Sequence, residues 1–304
     1  MTDERLPSWR PGPVRDAIVD HLDRIDEIPV AERIAYFDND GTLWCEKPEY
    51  VQLAFFVDVL VRRREQDPEI AERPELAALL GGDPEEIAGV GLVRIALALA
   101  GLFEGQTPEE FAAQIEEFVG RWKHPRFSRP VSGLVYQPML ELIDELRRHD
   151  VTVGIVTGGG TEFVRAVSEE LYGVPAELVV GTLIGYEVGR NAADGPPVAR
   201  RTASVLGEAN EGPAKIANIQ TQLGRRPVLA AGNSAGDREM LEWACAGSHP
   251  GLAILVDHDD AEREYAYQSK AATFAESASI TDIGRREGWV VVSMARDWST
   301  VFAD

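Results

Sequence analysis

Short apolar runs alternate with helical patterns over most of this chain, and the alternation predicts its fold class. Residues 33–37 and 151–157 are mostly apolar, which indicates buried strands. The same reasoning predicts further strands at 176–181, 227–231, 251–256 and 289–293, and helices at 137–149 and 161–172. A break at Gly195-Pro196-Pro197 favours a hairpin over residues 182–205. Strands separated by helices indicate an α/β fold with a parallel, doubly wound sheet.

The stretch 46–134 interrupts this alternation, because it has helical patterns and little strand signal. Residues 50–62 are strongly apolar, and Thr107-Pro108-Glu109-Glu110 has the composition of a capping box that opens a helix. That helix carries one apolar stripe, which core packing explains better than substrate stacking. The stripe consists of Phe111, Ile115, Phe118, Val119 and Trp122. We therefore predict an α/β core over residues 1–45 and 135–304, with a helical insertion at 46–134.

Composition narrows the class of protein and its partners. The 304 residues, 44% of them hydrophobic, suggest about two domains with a substantial core. A net charge of -21 disfavours nucleic acid and anionic membranes, because phosphate-rich partners would be repelled. No run of 18 or more apolar residues occurs, and residues 1–13 lack an apolar secretory segment, so we expect a cytoplasmic protein. Two cysteines are too few for a disulfide framework or a zinc cluster, and the oligomeric state cannot be read.

Two carboxylates follow the first predicted strand, in the segment Asp38-Asn39-Asp40-Gly41-Thr42. Asp38 falls at the carboxyl end of this strand, where open α/β sheets bind their ligands. Alternate side chains of an extended chain share a face, so Asp38 and Asp40 point into one crevice if the backbone stays extended. The alternative is an acidic turn, in which Asp and Gly are common.

Three later segments have the same layout of strand, loop and helix. Thr157-Gly158-Gly159-Gly160 ends the second strand, and glycines before a helix let backbone amides approach an anion. Lys215 lies just inside a helix that Pro213 opens. Asn233 and Asp237 lie in the loop after strand 227–231. Taken singly, these are a helix cap or turn, a solvated lysine and an ordinary strand-to-helix connection.

Together, the four segments resemble the motifs of the haloacid dehalogenase superfamily, in the order that this family requires. The motif order and the place of the insertion are similar to the phosphoserine phosphatase-like branch. The resemblance implies that Asp38 is a nucleophile and Asp40 the general acid/base. It also implies that Thr157, Gly158 and Lys215 hold the phosphoryl group, and that the insertion is a cap domain over the site.

The resemblance further implies a magnesium ion, Mg2+, bound by Asp38, Asp40, Asn233 and Asp237. Family members commonly have Asp where this chain has Asn233. An amide oxygen can bind a hard cation but brings no charge, so metal affinity or the acidity of bound water differs here. Asp237 compensates either directly or through water.

The function implied is a magnesium-dependent phosphomonoester hydrolase that acts on a small phosphorylated metabolite through a phosphoaspartate. A phosphomutase or phosphotransferase would use the same first steps, with a sugar or alcohol as acceptor. A non-catalytic protein that binds a phospho-ligand is the alternative that Asn233 suggests. Dehalogenase chemistry is disfavoured, because it does not need the acid that Asp40 supplies. The identity of the substrate cannot be read from the sequence.

Two further polar groups have open interpretations. Glu46 and Lys47 either read a substrate amine or carboxylate, or are solvated linker charges. His258, in the segment after strand 251–256, is either a metal ligand, a supporting group or a residue that satisfies loop hydrogen bonds. Asp259 or Asp260 is expected to cap a helix at 261–267.

Overall fold

The computed structural model describes residues 5–192, 194–271, 273 and 278–303, and its centre is a seven-stranded sheet. The strands are β1 Ile34–Phe37, β2 Thr152–Gly160, β3 Val179–Arg190, β4 Pro197–Leu206, β5 Leu229–Gly232, β6 Leu252–Asp257 and β7 Val290–Ser293. Their order across the sheet is β4-β3-β2-β1-β5-β6-β7. All neighbouring pairs are parallel except β3 and β4, which form the predicted hairpin.

Helices cover both faces of the sheet, which confirms the predicted α/β class. The longer helices are α1 Pro13–Ile25, α2 Val51–Gln66, α3 Pro74–Gly81, α4 Pro84–Val90, α5 Leu92–Gly101, α6 Pro108–Arg121, α7 Gln137–Arg148 and α8 Thr161–Tyr172. They are followed by α9 Pro213–Gln222, α10 Arg238–Cys245, α11 Ile280–Glu287 and α12 Met294–Asp297. Side chains of β1 alternate between faces: Ala35 and Phe37 join the cluster that contains α1 and α7, whereas Tyr36 joins that of α9 to α11.

Helices α2 to α6 form a group that packs through aromatic side chains. Phe55 of α2 lies at ring-centroid distances of 5.6 to 5.8 Å from Phe103, Phe111, Phe118 and Phe163. Phe163 belongs to α8, so this cluster joins the helical group to the sheet domain. The predicted capping box is present: the Glu110 amide donates to Thr107 Oγ1 at 3.2 Å, and the Thr107 amide donates to Glu110 Oε2 at 2.8 Å. The domain boundaries themselves stay a prediction.

Three local predictions differ from the structure. Residues Ala176–Leu178 form a 3-10 turn, so β3 begins three residues later than expected. Residues 261–267 are not a helix, because Asp259 pairs with Ala266 in a bridge that closes this segment into a loop. Asp260 does cap its turn, since its Oδ1 accepts the Arg263 amide at 3.0 Å. Helix α1 was not predicted, although it buries three apolar residues: Ile18, Leu22 and Ile25.

The strand order creates a switch point at the middle of the sheet. β2 lies on one side of β1, and β5 lies on the other. Loops that follow these strands leave in opposite directions, which opens a crevice outside their carboxyl ends. Asp38 follows β1 and Asn233 follows β5, so the strand order brings these two residues to the same crevice. Within the described part of the chain, no helix is both long and apolar enough to cross a bilayer.

Candidate active site

A cavity of about 430 Å³ lies at this crevice, between the ends of the strands and helices α2, α5 and α6. Five residues predicted from the sequence line it: Asp38, Asp40, Gly158, Lys215 and Asn233. We call these five residues the polar floor. Thr157 and Asp237 lie behind the floor, where their side chains hold other groups in place.

Lys215 is the centre of the polar floor. Its ammonium, on a side chain 2% exposed, donates to Asp38 Oδ1 at 2.7 Å, to Asp237 Oδ1 at 2.5 Å and to the Val156 carbonyl at 2.8 Å. All three donors of the ammonium are therefore used by the protein. Pro213 starts α9 in the position that aims this lysine across the ends of β1 and β2. The solvated-lysine interpretation is wrong.

Asp237 links Lys215 to the loop after β5. Its second oxygen, Oδ2, accepts the amides of Asn233 at 3.0 Å and Ser234 at 2.9 Å, and the Ser234 hydroxyl at 3.1 Å. Both oxygens of Asp237 are thus engaged inside the protein. Its predicted role as a metal ligand stays a prediction, while the geometry places it as a brace between Lys215 and Asn233.

The buried charges of this group shift one another's affinity for protons. Burial raises the pKa of Asp38 well above its usual range, and the charge of Asp237 raises it further, while Lys215 acts in the opposite direction. Burial by itself lowers the pKa of Lys215, but the charges of Asp237 and Asp38 outweigh it, so the pKa lies above its usual range. The electrostatic part of both shifts has one origin: two carboxylates share a single ammonium, which leaves an excess of negative charge.

Asp40 occupies a different environment from Asp38. Burial raises the pKa of Asp40 above its usual range, although hydrogen bonds from Trp44, Asn39 and Thr157 act against this. Trp44 Nε1 donates to Asp40 Oδ1 at 2.8 Å and fixes the orientation of the carboxyl group. A carboxyl group with a raised pKa keeps its proton more readily, which suits a general acid.

The resemblance implies that Thr157 and Gly158 both hold the phosphoryl group, but the two residues have different surroundings. The Thr157 hydroxyl is fully buried, accepts the Gly159 amide at 3.0 Å and contacts Asp40, so it acts inside the protein. Gly158 lines the cavity, and a Cβ added there would lie 3.3 Å from Glu211 Cγ. The predicted contact between Thr157 and a phosphate stays a prediction, while Gly158 leaves room for backbone to approach a ligand.

Asn233 is oriented by acceptors on one side of its amide. Its Nδ2 donates to Ser269 Oγ at 3.2 Å and to Glu46 Oε1 at 3.4 Å. Its Oδ1 lies 3.5 Å from Thr42 Oγ1, and Asp38 Oδ2 lies 3.5 Å from the same hydroxyl. The amide oxygen therefore lies on the side of the Thr42 hydroxyl, and the amide nitrogen lies on the side of Glu46 and Ser269.

A magnesium ion fits this set of donors. Carboxylate and amide oxygens are the ligands that hard cations prefer, and Asp38 Oδ2 and Asn233 Oδ1 are neighbours, since each lies 3.5 Å from Thr42 Oγ1. Among the residues that the structure describes, no group of three or more His, Cys, Asp or Glu side chains forms a metal cluster. The remaining ligands of a magnesium ion at this position would therefore be oxygens other than further carboxylates. Water molecules suit this role, because Mg2+ gives up its bound waters reluctantly.

Two residues with open interpretations from the sequence, Glu46 and His258, lie next to this site. Glu46 is 6% exposed, so the interpretation as a solvated linker charge is wrong for it. His258 Nε2 donates to the Gly41 carbonyl at 2.8 Å, and its Nδ1 lies 3.4 Å from Glu264 Oε2. Gly41 itself has a φ of 75°, and a Cβ there would lie 2.0 Å from Asn233 Nδ2. The sequence indicated a position near the crevice for His258, because the residue follows the predicted strand 251–256.

Comparison with known proteins gives a family and a fold. Residues 35–242, more than half of the chain, match the family model described as haloacid dehalogenase-like hydrolase. Comparison with curated proteins gave no significant match. The chain is similar to a solved protein of unknown function from Bordetella pertussis Tohama I, with 19% identity and a TM-score of 0.55 over 86% of this chain and 98% of the other.

Two other solved structures are similar at lower identity. A functionally unknown protein from Anaerococcus prevotii DSM 20548 has 14% identity and a TM-score of 0.57, over 91% of this chain and 90% of its own. A phosphoserine phosphohydrolase-like protein from Francisella tularensis subsp. tularensis SCHU S4 has 15% identity and a TM-score of 0.40, over 84% of this chain and 99% of its own. At these identities, the matches from Bordetella and Anaerococcus support the fold alone.

Proposed function

The chain belongs to the family of haloacid dehalogenase-like hydrolases, and from this premise we propose that it hydrolyses a phosphomonoester through a phosphoaspartate on Asp38. The observation that carries the proposal is the position of Lys215, whose buried ammonium joins Asp38 to Asp237 at the edge of a cavity. A fixed cation beside a carboxylate can stabilise the charge that develops on a transferring phosphoryl group.

In the first step, an oxygen of Asp38 attacks phosphorus and the bond from phosphorus to the ester oxygen breaks. The departing alkoxide takes the proton of Asp40, whose pKa burial has raised. In the second step, Asp40 removes a proton from water, and the water oxygen attacks phosphorus. The bond to Asp38 then breaks, inorganic phosphate is released, and both carboxyl groups return to their starting states.

Asp38 and Asn233 would hold the magnesium ion, which when bound offsets the negative charge between the nucleophile and the phosphate. Asp40 and Asp237 remain predicted ligands from the family resemblance. In our proposal, Asp237 contributes through Lys215 and the backbone amides of Asn233 and Ser234, because its oxygens already accept their hydrogen bonds.

We further propose that residues 46–134 act as a cap, since side chains of α2, α5 and α6 line the cavity together with Asp38. Closing such a cap would exclude water from the phosphoryl group. A small phosphate ester in the cytoplasm is the partner we propose, and the net charge of -21 supports the absence of nucleic-acid and membrane binding.

A panel of phosphomonoesters with magnesium tests the function. We expect phosphate release from at least one ester, loss of release with a chelator, and loss again in Asp38→Asn. Turnover that survives Asp38→Asn would contradict the nucleophile. Transfer of the phosphoryl group to an added alcohol or sugar, in place of release, would favour a phosphotransferase or phosphomutase. Binding of phosphate esters without any turnover would favour the non-catalytic alternative that Asn233 motivates.

A further inference from the structure

The part of the cavity beyond the polar floor is lined by apolar side chains from four different elements. They are Leu53 and Phe56 of α2, Ile95 and Leu99 of α5, Phe163 of α8 and Ile184 of β3. We call these six residues the apolar wall. No motif contains them, and they come together only because the helical insertion and the β3–β4 hairpin close over the ends of the strands.

The charged pair in this part of the cavity is already neutralised within the protein. Arg201 of β4 is 4% exposed, forms an ion pair with Glu162 of α8 and stacks over the ring of Phe111 at 3.8 Å from its centroid. Glu162 also accepts the hydroxyl of Tyr186. A ligand ammonium would have to displace Arg201 from Glu162 or leave its own charge uncompensated.

Other polar lining residues hydrogen bond to the loops at the strand ends. Gln52 Oε1 accepts the Gly160 amide at 3.0 Å, and Glu46 Oε1 accepts from Asn233. Polar and apolar lining residues are thus largely segregated within one cavity: hydrogen-bonding groups surround the position of the phosphoryl group, and the space beside it is lined by hydrocarbon together with the Arg201–Glu162 ion pair.

We propose that the natural ester has an apolar leaving group, an alkyl or aryl alcohol, which the apolar wall holds while the polar floor holds its phosphate. The inference rests on the proposed function. It narrows the substrate class away from amino-acid and sugar phosphates, because their leaving groups would lose water at the apolar wall without gaining hydrogen bonds. An apolar leaving group instead gains free energy with each methylene that it buries.

A series of n-alkyl phosphates from ethyl to hexyl tests the inference, because chain length changes burial and leaves the reacting bond nearly the same. We expect kcat/KM to rise about fourfold for each methylene that enters the cavity. Serine phosphate and glycerol phosphate should be poorer substrates than hexyl phosphate. A flat or falling series, or a preference for serine phosphate, would overturn the inference.

This experiment separates the inference from the proposed function. If polar esters are hydrolysed and the alkyl series is flat, the hydrolase stands and the apolar leaving group is wrong. If no ester is hydrolysed, calorimetry with ethylphosphonate and hexylphosphonate in magnesium still tests the apolar wall. Tighter binding of hexylphosphonate by the same factor per methylene would support it, and equal affinities would overturn it.

Variants of the apolar wall test whether its side chains cause the preference for longer alkyl phosphates. Phe56→Ala should lower the ratio of kcat/KM for hexyl over ethyl phosphate by about tenfold, because it removes a contact with the chain. Val59→Ala, buried on the same helix but outside the cavity, is the matched control and should leave the ratio unchanged. Ile184→Ala removes a wall side chain of the β3–β4 hairpin and should also lower this ratio. An equal fall in Val59→Ala, or none in both wall variants, would overturn the assignment.

Discussion

The polar floor and the apolar wall line one cavity, yet they are built in opposite ways. In the floor, charged atoms are held by partners at short distances, as Lys215 is held by Asp38 and Asp237 at 2.7 and 2.5 Å. In the wall, side chains from separate elements share only their hydrocarbon character. The chemical step in this cavity therefore depends on individual atoms, whereas selectivity depends on a surface, so each should respond to mutation without the other.

Asp38→Asn should have the largest effect on catalysis by the polar floor. An amide is a poor nucleophile, and we expect kcat to fall by roughly four orders of magnitude or more. The wall should be unaffected, so the ratio of affinities for hexylphosphonate and ethylphosphonate should stay as in the parent. Rapid-quench assays and calorimetry measure the two quantities. A fall of less than tenfold in kcat would mean that another residue attacks phosphorus.

Lys215→Met should damage both activity and folding, because it leaves two buried carboxylates without their cation. We expect kcat to fall by about 10²- to 10³-fold, and the free energy of unfolding at neutral pH to fall by about 3 kcal/mol. Phosphate-release assays and urea denaturation measure these effects. Lys270→Met removes an exposed lysine from the same cavity and should change stability by less than about 0.5 kcal/mol. Equal stability of the two variants would contradict the central place given to Lys215.

Asn233→Asp restores the acid that family members commonly have at this position, and it tests how the amide of Asn233 affects magnesium binding and stability. The new carboxylate should strengthen magnesium binding, but it can no longer donate to Glu46 Oε1. We expect the metal-free protein to lose about 2 kcal/mol of stability. Adding Glu46→Gln should restore most of that loss, because a Gln amide can donate to the new Asp. Magnesium titration and denaturation measure both effects, and an unchanged metal dependence would show that Asn233 is not a ligand.

His258→Gln should have the smallest effect of the four. His258 donates to the Gly41 carbonyl, and its Nε2 lies 3.4 Å from Asn233 Nδ2, so its loss should loosen the loop that carries Asp40. We expect kcat to fall by about tenfold, with no change in the ratio of kcat/KM for hexyl over ethyl phosphate. Steady-state kinetics measure both quantities. A change in that ratio would show that floor and wall are coupled.

The polar floor was largely predictable from the sequence because all of its residues except Lys215 lie at or just after the ends of predicted strands. Carboxyl ends of parallel strands meet at one edge, so Asp38 and Asn233 could be placed in a common crevice before the structure was known. The bridging position of Lys215 required the strand order, since only the adjacency of β1 and β5 brings Asp237 within reach. The direction of the Thr157 hydroxyl depended on hydrogen bonds that spacing does not encode.

The wall was not predictable, because its contacts join residues far apart in sequence. Phe56 and Ile184 face one cavity although more than a hundred residues separate them. Helical periodicity indicated which residues of α6 are buried, but it could not say what they face. The false helix at 261–267 has the same cause: local capping by Asp260 was real, and pairing of Asp259 with Ala266 overrode helix formation.

The stereochemistry at phosphorus distinguishes a phosphoaspartate on Asp38 from direct attack by water. A chiral thiophosphate ester that the enzyme turns over would be hydrolysed in isotopically labelled water, and the configuration of the released thiophosphate determined. Attack by Asp38 followed by attack of water comprises two in-line displacements, each of which inverts phosphorus. We therefore expect net retention of configuration. Net inversion would mean that water attacks the ester directly, and it would contradict the covalent role of Asp38.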